Sequence, residues 1–114
     1  MTRTFRALLT LAVFTSQLCA SAIAQSADKS TAEAQDIYKA KCQMCHAADG
    51  SGNTPAGKKF GAKDLKSPEV QKHTDAELFA VIAKGQNKMP AFTGKLNDQQ
   101  MLTIVAYIRH IAGK

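Results

Sequence analysis

The five residues Cys42-Gln43-Met44-Cys45-His46 leave the chain few ways to fold. They set two thiols and an imidazole within little more than one helical turn. A disulfide between cysteines this close would close a very small loop and contribute little to holding a fold together. A domain of this size normally needs a staple, a metal or a cofactor to complete its core. With five Phe, two Tyr and no Trp, this chain has few large side chains to fill one unaided.

The third cysteine, Cys19, lies in a stretch that reads as removable. Arg3 and Arg6 form a positive start with no acidic residue nearby. Leu8, Leu9, Leu11, Ala12, Val13 and Phe14 form a short apolar run, and Ala22-Ile23-Ala24 supplies small residues at the positions a signal peptidase reads. We expect residues 1–24 to be a signal peptide cut after Ala24, leaving 25–114 as one domain. A retained anchor fits less well. Thr10, Thr15, Ser16 and Gln17 break the run, and about 20 apolar residues are needed to span a bilayer. Leu18 before Cys19 also argues against lipidation, which wants a small residue there. An exported, periplasmic chain follows, with no integral membrane segment after processing and Cys42 and Cys45 as its two cysteines.

Charge narrows the partners. The formal net charge is +6, and losing Arg3 and Arg6 with the leader leaves +4. That surplus is almost all Lys, with Arg109 the one Arg of 25–114. Nucleic-acid readers lean on Arg for base edges. Scattered Lys more often solvates a surface or steers an acidic protein partner. The expected partners are therefore proteins with acidic docking surfaces, not nucleic acid.

The pattern along the chain is helical. Ser30 and Glu33 have capping-box spacing, and Ala34, Ile37, Tyr38 and Lys41 fall on one helical face running into Cys42. From Ala47 to Leu65, four glycines with Asn53 and Pro55 read as a long loop with little regular structure. Ser67-Pro68-Glu69 is a helix start. Thr74 and Glu77 form a second capping box before Leu78, Phe79, Val81 and Ile82, and Gly85 marks the stop. Asn97 and Gln100 cap a last helix whose Met101, Ile104, Val105, Ile108 and Ile111 make one apolar stripe, widened by Tyr107. No run alternates as a strand does. The expected fold is all-α, with three or four helices and one large loop that wraps a rigid object.

C-x-x-C-H is the signature of covalent haem attachment. Two thiols must each reach a vinyl group on one porphyrin edge, and two intervening residues at a helix end bring them to that separation. His46 then falls under the ring centre, where it can bind iron. A thioredoxin-like pair would follow a strand in a βαβ setting, and here a helix precedes it. Structural zinc wants four ligands from paired motifs, and no second C-x-x-C exists. A chance match is disfavoured, because an exported chain retains these two cysteines and no others. We therefore expect one covalent haem c per chain, on Cys42 and Cys45, with His46 as an axial ligand.

A second axial ligand is offered by Asn87-Lys88-Met89-Pro90-Ala91-Phe92. A thioether is a soft donor. Pro90 stiffens the chain at Met89 and biases it away from helix. Met44 is trapped between the cysteines, and Met101 belongs to the apolar stripe. His73, in a polar stretch, and His110, beside Arg109 near the terminus, read as surface residues. His46/Met89 ligation is expected, with a higher potential than a bis-His iron.

Four pieces in order now carry a resemblance: Tyr38 four residues before Cys42, then C-Q-M-C-H, then M-P-A-F at 89–92, then A-Y-I-R at 106–109. Together they resemble the small class I c-type cytochromes of bacteria, over residues 25–114. The resemblance implies a first helix crossing the last, with Ala34 and Tyr38 against Ile104 and Tyr107. It also implies a proline carbonyl that accepts the ring N–H of the axial His, for which Pro55 is the candidate. The loop departs from the pattern in its dense Lys58, Lys59, Lys63 and Lys66 cluster.

The expected function is soluble electron transfer by one haem cycling between Fe(II) and Fe(III), in a monomer that is no enzyme. Two rivals stand beside it. One is a haem-bearing subunit of a larger oxidase or dehydrogenase, which would fold identically. The other is a ligand sensor, which needs an open iron position that a strong Met candidate argues against.

Overall fold

The computed structural model describes residues 20–114, with side chains from Asp28 onward. The expected leader's charged and apolar stretches, residues 3–14, lie outside the described residues. Six helical segments follow one another: α1 (Ala20–Lys41), α2 (Gln43–His46), α3 (Pro55–Phe60), α4 (Pro68–Gln71), α5 (Asp75–Lys84) and α6 (Asp98–Ile111). The chain is all-α and has no β-strand among its described residues. Three segments are long, and three are single turns or little more. The expected three or four helices therefore match the long elements and α4, while α2 and α3 are additional.

Three helix starts follow from local chemistry. Thr74 and Glu77 form a complete capping box on α5, and Asn97 and Gln100 form another on α6. Each satisfies backbone donors the helix leaves orphaned, and each cap is worth about 1 kcal/mol. Ser67 caps α4, accepting from the Val70 amide, with Pro68 at the first helical position. The expected start at Ser30 differs. Here α1 is already helical at the first described residue, Ala20, and runs through Ser30, since nothing from Ala20 to Lys29 breaks a helix and alanines there favour one.

The core lies between α1, α5 and α6. Ala34 and Tyr38 of α1 are buried, as are Met101, Ile104, Val105 and Ile108 of α6. Lys41, expected on the same face as Ala34, is exposed. The Tyr38 and Tyr107 rings sit 5.1 Å apart at 52°, a tilted contact that locks α1 to α6. Leu78 and Ile82 bring α5 into the same cluster, and Cys42 and Met89 pack against its edge. Each fully buried side chain of this kind contributes about 1.5–3 kcal/mol.

A polar clasp closes the far end. Arg109 donates through Nη1 to the Gln71 carbonyl and to Gln71 Oε1, both at 3.1 Å. Its Nε donates to Asp75 Oδ1 at 3.0 Å, and Nη2 donates to the His73 carbonyl. Gln71, itself buried, donates to the Leu65 carbonyl at 2.7 Å. The pair ties α4, α5, α6 and the preceding loop together. His73 and His110 are both exposed, as expected.

Candidate functional site

Cys42, Cys45 and His46 sit where α1 gives way to the short α2. Cys42 N–H donates to the Tyr38 carbonyl and His46 N–H to the Cys42 carbonyl, at 2.8 and 2.9 Å, so the motif stays helical through His46. Both thiols are free and partly buried. Burial pushes the Cys42 thiol up to about 11. Met44 between them is 76% exposed, so it turns away from the core.

The imidazole is fixed from behind. His46 Nδ1 lies 3.0 Å from the Lys63 carbonyl oxygen. A carbonyl can only accept, so Nδ1 is the donor, and in the neutral ring Nε2 keeps its lone pair. The proline expectation is corrected here. Pro55 is the first residue of α3, and the carbonyl that meets the ring belongs to Lys63. The physical reason is that Pro55 is spent on starting a helix, while the chain returns to His46 only after α3 has ended at Gly61.

The stretch expected as an irregular loop is built around that short helix. Thr54 caps it, accepting from the Gly57 amide at 2.8 Å. The same hydroxyl donates to the Met44 carbonyl at 2.7 Å, with the Cys45 carbonyl 3.3 Å away. Gly52 N–H donates to the His46 carbonyl at 2.8 Å. The orphan carbonyls ending α2 are thus satisfied by Thr54 and Gly52. Gly57 permits this closeness: a Cβ there would meet the Gly52 and Cys45 carbonyl oxygens at 2.2 and 2.3 Å. Sequence reasoning missed Thr54, Gly57 and Lys63. The Thr54-Pro55 pair, a cap followed by Pro at the first helical position, was a readable signal for α3.

Ala47 leaves α2 with φ 65 and ψ 164, a conformation that is nearly glycine's alone and costs about 1–3 kcal/mol. Its carbonyl accepts the Tyr38 hydroxyl at 2.7 Å and the Gly50 amide at 3.2 Å. Burial, with the Cys42 thiol next in effect, pushes the Tyr38 hydroxyl well above the usual tyrosine range. It is a donor at every physiological pH.

Met89 lies on a different support. Its N–H and carbonyl pair with Gln86 at 2.9 and 3.1 Å across a tight turn, with Asn87 at φ 53. Asn tolerates that left-handed position. Beyond Pro90, Phe92 N–H donates to the Ile82 carbonyl and Thr93 N–H to the Ala83 carbonyl, at 3.0 and 3.1 Å. The Thr93 hydroxyl adds a bond to Ala83 at 2.8 Å. These contacts satisfy the last carbonyls of α5, and buried Phe92 fastens the strap to the core. Met89 itself is half-buried, and Met101 is deep in the core.

The donor set suits an iron porphyrin: two unpaired thiols with two residues between them, an imidazole held through Nδ1 so that its Nε2 is the nitrogen left to bind a metal, and a thioether at the core's edge. Comparisons agree. Residues 29–108 match the family described as cytochrome C oxidase, cbb3-type, subunit III. A cytochrome c6 of Leptolyngbya boryana is 33% identical over 81 residues, covering 68% of this chain and 88% of that one. A cytochrome c6 of a Nostoc strain is 32% identical over 104 residues, 89% of this chain and 85% of that one. Among solved structures, the KustC0563 c-type cytochrome superposes with a TM-score of 0.63 at 28% identity, covering 68% of this chain and 95% of that one. The chain belongs to the c-type cytochromes, as a small class I member. It is a haem-based electron carrier, and its cofactor is haem c.

Proposed function

We propose that this chain is a soluble, exported, one-haem carrier in which Cys42 and Cys45 would hold the macrocycle through thioether bonds, and His46 Nε2 and Met89 Sδ would bind its iron. When bound, the haem supplies a one-electron Fe(II)/Fe(III) couple. The chain's part is to hold both donors still, so that the electron moves with little rearrangement. The observation that carries the reading is the His46 Nδ1 bond to the Lys63 carbonyl, beside two unpaired thiols. That bond fixes the tautomer and leaves a lone pair on Nε2. Met89, strapped to α5, supplies the soft donor and raises the potential.

The leader is cut between Ala24 and Gln25. The cut falls within the helical backbone described from Ala20, and leaves Ser30 and Glu33, with their capping-box spacing, near the new end. No described helix is long and apolar enough to cross a membrane. The product is a periplasmic monomer that docks acidic redox proteins and catalyses no reaction of its own. Lys63 and Lys66 are paired with Glu69 and Asp49, whereas Lys59 lies over the exposed Phe60 ring. Association steered by such lysines slows as ionic strength rises.

The visible spectrum tests this assignment. A sulfur-to-iron charge-transfer band in the ferric protein is expected, with a ferrous spectrum that added carbon monoxide leaves unchanged. A high-spin spectrum that binds carbon monoxide readily would instead establish a sensor with an open iron. The family description favours a second reading, a subunit of a larger oxidase. Copurification with membrane partners distinguishes that from a free carrier.

A further inference from the structure

We propose that Tyr38 is a positioning residue for His46, acting through the strained Ala47 peptide. The inference rests on the reading of His46 as the iron ligand. It starts from a conflict. Ala47 directly follows the imidazole yet adopts φ 65 and ψ 164, where its Cβ is unwelcome. A conformation like that persists only where surrounding contacts over-determine it. Three contacts do so here. Ala47 N–H donates to the Gln43 carbonyl at 2.9 Å, and its own carbonyl accepts Gly50 N–H and the Tyr38 hydroxyl. The Tyr38 hydroxyl is the shortest of the three at 2.7 Å, and it alone comes from a side chain outside the turn.

The turn at Ala47 also reaches the acceptor behind the imidazole. Gly50 N–H donates to Ala47, and the Gly50 carbonyl in turn accepts Leu65 N–H at 2.7 Å. Leu65 lies two residues past Lys63, whose carbonyl meets His46 Nδ1. Tyr38, Ala47, Gly50, Leu65, Lys63 and His46 therefore form one closed circuit. Its fixed point is the Tyr38 ring, 2% exposed and tilted against Tyr107. If the hydroxyl lets go, Ala47 can relax to negative φ. The turn then shifts, and the Lys63 carbonyl moves off Nδ1. The imidazole loses both its fixed plane and the basicity that an N–H acceptor confers.

A buried tyrosine needs a partner in any case, so loss of stability alone proves nothing. A double-mutant cycle in the exported holoprotein separates the two roles. Tyr38→Phe should move the ferric haem-methyl proton resonances, which report the imidazole plane, and should raise the midpoint potential. Ala47→Gly adopts the same backbone without strain, so it should change little. In the Ala47→Gly background, Tyr38→Phe should then shift resonances and potential by less than about half as much. Equal shifts in both backgrounds, or an unmoved spectrum with only a lower unfolding temperature, would overturn the proposal. If Tyr38→Phe fails to accumulate, recovery of holoprotein in the double variant supports the circuit, and no recovery refutes it. Failure of the underlying ligand reading is visible earlier, as missing imidazole signals in the unaltered ferric protein.

Discussion

Around His46 the chain binds itself through side chains and backbone drawn from α1, α2, α3 and the segment after α3, whereas Met89 hangs from the end of one helix. The His46 side closes over residues 38–65 through Tyr38, Thr54, Gly52 and Lys63. The Met89 side closes within residues 82–93, through its pairing with Gln86 and the bonds from Phe92 and Thr93 to α5. Damage on the first side should spread through the fold, because several segments share each contact. Damage on the second should stay local, since α5 keeps its own cap and its own packing on α6.

The largest separation is expected from the ligands themselves. His46→Ala should abolish accumulation of folded haem protein. Met89→Ala should keep the haem and the helices but bind carbon monoxide, with its potential lowered by a sizeable part of the ~0.8 V range that axial ligands span. Visible spectra and redox titration of both variants check this. Equal damage from the two would erase the contrast.

Two glycines sharpen it. Gly85 has φ 72 and ψ 170, and a Cβ there would stand 2.5 Å from the Met89 carbonyl oxygen. Gly85→Ala should lose about 1–3 kcal/mol to backbone strain alone. It should also weaken the sulfur-to-iron band. Gly57→Ala should lose about 1–3 kcal/mol through its clash with the Gly52 and Cys45 carbonyls. It should leave the sulfur band intact. Denaturant unfolding followed at that band and by helical signal reads both effects.

The smallest effect concerns acid. The Thr74 amide and hydroxyl, with a lesser contribution from His73, hold the Glu77 carboxyl below its usual 4.5. A depressed carboxylate stabilises the fold fully above its unfolded pKa and loses that contribution as pH falls through the folded value. Glu77→Gln should therefore lower stability slightly at pH 7 and converge on the unaltered protein as pH falls below about 4.5, which flattens the acid limb. Unfolding midpoints measured across that range check it.

Legibility in the sequence followed the range of the physics. The caps of α4, α5 and α6 and the stripe on α6 are local patterns, and each lies where its spacing put it. Ala34 and Tyr38 against α6 came from resemblance, and the tilted Tyr38–Tyr107 contact agrees. The acceptor behind His46 was not legible, since every residue carries a carbonyl and only the path of the chain decides which one arrives. Proline was the wrong guide there: Thr54-Pro55 announced a helix instead. The Gln71–Arg109 clasp joins residues far apart in sequence with no spacing to betray it. Ser30 and Glu33 have capping-box spacing yet lie inside α1, since the local pattern does not register the helix-favouring residues from Ala20 to Lys29.

Mass spectrometry of the purified exported protein, with and without thiol alkylation, puts the whole account at risk in one step. The expected product begins at Gln25, carries the added mass of a single haem and takes up no alkylating reagent at Cys42 or Cys45. A chain of bare polypeptide mass, alkylated at both positions, would contradict it.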